Sequence, residues 1–174
     1  TAESAGAHLE GCALALRDFR GLPHRLELVG EAKGVRFYDD SKATTPAAVL
    51  ADLSGFDTAV LIAGGRNKGL DLSPLRGLAP RLRAVVAMGE AAAEVSAAFE
   101  GATAVHEASS MAEAVGLAGA LAEAGDAVVL SPACTSFDWY GSYAERGDDF
   151  AGEVRRRLVA ASAGGGPPDA GRRP

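Results

Sequence analysis

The segment Thr58-Ala59-Val60-Leu61-Ile62-Ala63-Gly64-Gly65 decides the architecture. It carries no charge, and its apolar residues do not alternate with polar ones. A strand with one wet face alternates; a short continuous apolar run marks a strand covered on both faces, as in a parallel sheet. Two more runs repeat the pattern: Ala84-Val85-Val86-Ala87-Met88 before Gly89, and Ala127-Val128-Val129-Leu130 before Ser131-Pro132. Helical spacing separates them, over residues 91–99 and again over 111–124, where Ser110 is suited to cap the start. The short run Thr103-Ala104-Val105-His106 supplies one further strand. Working outward, residues 24–29 and 35–38 alternate around Ala32-Lys33-Gly34, which predicts a hairpin and an antiparallel edge. A loop spans 39–45, and Pro46 stands where a helical first turn tolerates it, with a helix over 47–53. Residues 145–160 predict a last helix, and the Gly/Pro-rich stretch 162–174 a disordered tail. Residues 1–20 repeat apolar side chains at helical intervals (Leu9, Cys12, Ala13, Leu16, Phe19) and stop at Gly21 and Pro23. The expected fold is therefore one α/β domain: a Rossmann-like, doubly wound, mostly parallel sheet with helices on both faces.

Composition narrows the function. The 174 residues are 48% hydrophobic and 23% charged, enough for one core. No apolar run approaches the roughly 18–20 residues of a membrane span, and no basic-then-apolar leader opens the chain, so a soluble protein without a membrane partner is expected. A net charge of −6 argues against nucleic acid as the main partner, because phosphate binding needs a concentrated basic face. Cys12 and Cys134 are too few for a disulfide framework and too distant for a metal knuckle, which suits a reducing cytoplasm. His8, His24 and His106 show no ligand spacing, so zinc is not expected. The opening Thr1 hints at a fragment of a longer protein.

In a doubly wound sheet ligands gather outside the carboxyl ends of the strands, and three of those ends carry unusual residues. Asp39-Asp40-Ser41-Lys42-Ala43-Thr44-Thr45 crowds carboxylates, hydroxyls and an amine before a helix N-terminus, where free N–H groups favour an anion. Capping explains Asp40 and Thr44 equally well, but Lys42 is a cation where the helix dipole disfavours one. Gly64-Gly65-Arg66-Asn67-Lys68-Gly69 offers close backbone approach and a point charge; no Gly-x4-Gly-Lys-Ser/Thr pattern exists anywhere in the chain. Ser131-Pro132-Ala133-Cys134-Thr135-Ser136-Phe137-Asp138-Trp139-Tyr140, running on to Tyr143 and Arg146, mixes hydroxyls with much of the aromatic content of a chain only 6% aromatic. Cys134 lacks a histidine placed to activate it and reads as structural. Together the loops supply cations and hydroxyls for gripping a small anion, without a general base and its partner.

Those motifs, taken in order and spacing, resemble a known family. Gly21-Leu22-Pro23-His24-Arg25, Asp40-Ser41-Lys42-Ala43-Thr44, Gly64-Gly65 with Lys68, and Ser131-Pro132-Ala133-Cys134 with Ser136-Phe137-Asp138, Arg146-Gly147 and Phe150 look like the C-terminal domain of the Mur ligases that add D-glutamate in peptidoglycan synthesis. The likeness covers about residues 21–160. It implies that residues 1–20 end a preceding central domain, that 21–161 form the C-terminal domain, and that the domain closes as a lid, with a pivot near Gly21–Pro23, against that central domain. The resemblance further implies a cytoplasmic ATP-dependent ligase whose other domains hold the UDP group, the P-loop and the Mg2+ ligands. UDP-N-acetylmuramoyl-L-alanine would be activated as an acyl phosphate and attacked by the amine of D-glutamate, while the fragment alone would be inactive.

Carried over by position, Arg25 would touch the ATP phosphates and Asp40 the region of the ribose. Lys42 would lie on the phosphate and amino-acid side. Thr44, Lys68, Ser136, Phe137 and Tyr143 would hold the D-glutamate carboxylates, Phe137 and Tyr143 mainly through backbone N–H. The likeness assigns no role to Arg66 or Asn67. Two other readings stand beside it: a Mur-type ligase of another amino acid or a folylpolyglutamate synthetase, and a stand-alone α/β binding module with an acidic pocket at Asp39 and Asp40.

Overall fold

The computed structural model describes residues 6, 8–18 and 21–163. Six strands form one sheet: β1 (Glu27–Ala32), β2 (Val35–Asp39), β3 (Ala59–Gly64), β4 (Leu82–Met88), β5 (Val105–Ala108) and β6 (Ala127–Ala133), in the order β1-β2-β6-β3-β4-β5. Only β1 runs antiparallel, paired with β2 as the edge hairpin; the remaining pairs are parallel. The helices are α1 (Leu9–Asp18), α2 (Pro46–Leu53), α3 (Ala92–Phe99), α4 (Met111–Leu121) and α5 (Tyr143–Ala163). A 3-10 helix over Ser73–Arg81, an element with no counterpart among those expected above, joins β3 to β4.

The period of two in the strands divides the core. Leu61, Val85 and Val129 face α2, α3 and the 3-10 helix, whose Val49, Phe99 and Leu75 are all buried against them. Val60, Ile62, Val86 and Val128 face the other way, onto Met111 and Val115 of α4 and Phe150 and Val154 of α5. Every residue of β3 and of β6 is buried, as continuous apolar runs require when helices cover both faces. Thr45 caps α2, its Oγ1 accepting from Ala48 N at 3.3 Å, with Pro46 in the first turn. Ser110 caps α4 by accepting from Glu113 N at 3.2 Å, as its position predicts.

Several boundaries depart from expectation. The first strand begins at Glu27, because His24 and Leu26 adopt positive φ (59° and 46°) and form a turn. The fifth strand is Val105–Ala108, slightly later than expected. β6 continues through Ser131-Pro132 to Ala133. Proline is tolerated in this central strand because the β3–β6 register shifts there, between the pairs Ile62–Leu130 and Gly64–Ala133. α4 stops at Leu121, and α5 starts at Tyr143 and runs to Ala163, into the first residues of the expected tail. Residues 164–174 of that tail lie outside the described residues, as do residues 1–5, 7, 19 and 20 of the N-terminal stretch.

Candidate functional site

The loop after β2 is built from inside. Asp39 is buried and accepts from Ser41 N at 2.9 Å, while its other oxygen lies 2.7 Å from His24 Nδ1. Asp40 is wholly buried; it accepts from Ser131 Oγ at 2.6 Å and from Leu26 N at 3.3 Å. Lys42 N donates to His24 O at 3.0 Å, so the turn at residues 24–26 and the loop brace each other. This bracing explains the two positive φ values: the hydrogen bonds repay backbone conformations that His and Leu rarely adopt. Helix α5 passes close enough that a Cβ at Gly147 would meet both His24 and Asp39.

Arg146 ties this loop to the one after β6. Its guanidinium is buried and donates to Ser41 Oγ and Ser41 O, each at 2.9 Å, and to Cys134 O at 3.2 Å. Ser41 Oγ in turn donates to Tyr143 O at 2.7 Å, fixing the start of α5. The loop after β3 joins through a bridge in which Arg66 N donates to Thr135 O at 2.9 Å and Thr135 N to Arg66 O at 3.0 Å. Gly65 makes that approach possible: at φ 125° it lies so near Thr135 O that no Cβ would fit. Asn67 folds the next turn by pairing its amide with Leu70 N and Leu70 O, at 3.0 and 2.9 Å, which leaves Lys68 at the tip.

These three loops enclose a cleft of about 210 Å³ lined by Thr44, Lys68, Thr135, Ser136, Phe137 and Tyr143. Among the described residues, the hydroxyls of Thr44 and Ser136 and the ammonium of Lys68 make no hydrogen bond or ion pair. Ser136 is 2% exposed yet has no sealed, unsatisfied atom, so its hydroxyl reaches the cleft. Lys42 stands at the margin, its Nζ 5.6 Å from the centroid of the Tyr143 ring. A cleft with an unspent ammonium, two unspent hydroxyls and a second lysine beside it suits a small, multiply charged anion.

Electrostatics separates structural from binding groups. Burial pushes the Asp40 carboxyl up to about 7, and the Asp52 carboxylate adds to the rise. Burial likewise raises Asp39. It pulls the Arg146 guanidinium down to about 10, so Arg146 stays a cation at neutral pH. The Cys134 thiol is pushed up to about 11, again by burial, which removes it as a nucleophile. His24, Glu27 and Asp39 lie within 4.8 Å of one another, as metal ligands would. Magnesium does not fit them, because it asks for oxygen donors and the Asp39 oxygens are already engaged with Ser41 and His24.

A family described as "Mur ligase, glutamate ligase domain" matches residues 24–134. The chain belongs to this Mur ligase family. It is 48% identical over 153 residues to UDP-N-acetylmuramoylalanine–D-glutamate ligase of Desulfosudis oleivorans, covering 87% of this chain and 33% of that protein. The protein of the same name from Aromatoleum aromaticum is 49% identical, with the same coverage. The chain thus spans about a third of the length of these relatives. Among solved structures, UDP-N-acetylmuramate–alanine ligase of Thermotoga maritima superposes with a TM-score of 0.63 at 15% identity, over 91% of this chain and 35% of that one, which speaks for the fold alone.

Measured against the sequence reading, this Mur ligase domain brings Thr44, Lys68, Ser136, Phe137 and Tyr143 into one cleft, with Lys42 at its edge. Arg25 is exposed on the braced turn, outside that lining. Asp40 lies outside that lining: its oxygens accept from Ser131 and Leu26, and it is wholly buried. Asp39 is buried too, so the two carboxylates form no open acidic pocket of the kind a stand-alone module would present. Sequence reasoning gave no role to His24, Asn67 or Arg146. The signal for Arg146 was present: Arg146, Phe150, Val154 and Leu158 recur at intervals of four, which places a cation on the apolar stripe of α5.

Proposed function

We propose that this domain binds D-glutamate in a ligase that joins it to UDP-N-acetylmuramoyl-L-alanine, closing over the ATP-bearing part of that enzyme. The observation that carries the reading is the cleft itself, in which unspent donors of Thr44, Lys68 and Ser136 converge from three separate loops. Two carboxylates on one small molecule need donors from more than one direction, and a hydrogen bond to a charged group contributes roughly 1.5–3 kcal/mol. The names of relatives at 48% and 49% identity support the choice of amino acid.

On this reading Lys68 and Ser136 hold carboxylates of D-glutamate, Thr44 supplies a hydroxyl from the opposite wall, and the backbone N–H groups near Phe137 and Tyr143 complete the grip. Lys42 and the exposed Arg25 face the phosphate side. ATP supplies the phosphoryl group that turns the terminal carboxylate of the nucleotide-sugar substrate into an acyl phosphate. What this chain contributes is orientation: it presents the amine of D-glutamate to that carbonyl and excludes water on closing. The P-loop and the Mg2+ ligands belong to other parts of the ligase, and the place of work is the cytoplasm, where ATP and nucleotide sugars are available. Residues 21–161 form the lid, residues 1–20 its connection to the central domain, and 162–174 a tail.

In the complete ligase, Lys68→Ala will raise the KM for D-glutamate by about tenfold or more while changing that for ATP little, since a charge-assisted contact is lost from one substrate only. Equal changes in both would assign Lys68 to phosphate instead. A panel of amino acids will show D-glutamate as the preferred acceptor; another preferred amino acid would favour the alternative ligases.

A further inference from the structure

A second, larger cavity of about 420 Å³ lies at the other end of the sheet. Its walls are the hairpin turn between β1 and β2, the end of α4 and the second half of α5, and its apolar lining includes Val35, Phe37, Val154 and Leu158. The site is held open by the fold. Gly125 N donates to Gly34 O at 2.8 Å and pins the hairpin turn to the loop after α4. Helix α4 carries glycines where α5 crosses, so the Arg157 side chain lies along it; a Cβ at Gly119 would stand 3.0 Å from Arg157 Nε.

Two cations border this apolar space, Lys33 and Arg157. Among the described residues neither has a hydrogen-bond or ion-pair partner. Lys33 holds its place at φ 52°, at a turn position where Asn or Gly is favoured. A cation on an apolar cleft, in a chain of net charge −6, is complementary to a ligand with an apolar body and one anionic end. We propose that this cavity is a binding site for a small acyl or aryl carboxylate, its apolar part against Ala122 and Leu158 over the buried Phe37 and Val154, and its carboxylate between Lys33 and Arg157. The site is separate from the D-glutamate cleft, though α5 touches both: Tyr143 and Val154 lie about 16 Å apart along the helix.

Decanoate is the probe, titrated into the 174-residue chain and followed by amide chemical shifts and calorimetry. The expected result is saturable one-to-one binding with shifts at Val35, Gly119 and Val154. Decanol, which lacks the charge, will bind about tenfold more weakly, and Lys33→Asn with Arg157→Gln will weaken decanoate about tenfold as well. Lys33→Asn keeps a residue that suits positive φ, so the hairpin survives; unchanged shifts elsewhere in the sheet verify this. No saturation, equal binding of decanol and decanoate, indifference to the double substitution, or shifts centred on Thr44 and Ser136 would each overturn the proposal.

Discussion

At the scale of single residues, the loops at the strand ends divide into groups that are spent and groups that are not. Arg146 is spent: all the hydrogen bonds of its guanidinium go to Ser41 and Cys134, and it is sealed from solvent. Arg146→Met fills similar volume but orphans the carbonyls of Ser41 and Cys134, so unfolding in urea will show a loss of about 3 kcal/mol. Asp40 is spent as well, and its titration will be visible. The folded chain, with a pKa of about 7 against 3.8, keeps a proton that the unfolded chain has already released. The stability tied to that proton is therefore complete below about pH 4 and declines as pH rises through 7. Asp39, raised by burial, adds in the same direction. Asp40→Asn will flatten the decline between pH 4 and 7 in denaturation curves taken across that range; an unchanged slope would assign it to other groups. Thr44, Lys68 and Ser136 are the unspent set, and their roles are read in binding rather than in stability.

At the scale of elements, the site depends on how close two loops can come. The Arg66–Thr135 bridge sews the loop after β3 to the loop after β6, and Gly65 is the position that permits it. Gly65→Ala puts a Cβ against Thr135 O at a positive φ, and will cost more than about 2 kcal/mol while also displacing Lys68. Ser110→Ala is the matched control: it removes one cap from α4, away from the cleft, at a cost of about 1 kcal/mol with no change in ligand binding. Thermal unfolding of the two variants beside a D-glutamate titration of the complete ligase separates the effects. Element types were legible in the sequence because both strand and helix periods were strong. The start of β1 was not, since His24-Arg25-Leu26 alternates like a strand and becomes a turn only when Asp39 and Asp40 capture it.

At the scale of the whole molecule, the domain offers a cleft for an anion but no phosphate-binding loop of its own, the Gly-x4-Gly-Lys-Ser/Thr pattern being absent from the sequence. The 174-residue chain by itself will therefore show no ligase turnover with ATP, D-glutamate and UDP-N-acetylmuramoyl-L-alanine, and release of phosphate in that assay would contradict the proposed division of labour. The sequence by itself determined the element types and the layers: short uninterrupted apolar runs between helical segments mark strands covered on both faces, and the helices between them supply that cover; the strand order came from the structure. It also pointed to the polar residues at the strand ends. Only the tertiary structure decided which of those residues remain free to bind. Asp40 and Thr44 are four positions apart and equally polar, yet one is sealed beneath Ser131 and Leu26 and the other opens on the cleft. Burial and hydrogen-bond partners come from segments distant in the chain, so no local pattern separates a group that braces a loop from one that meets a ligand.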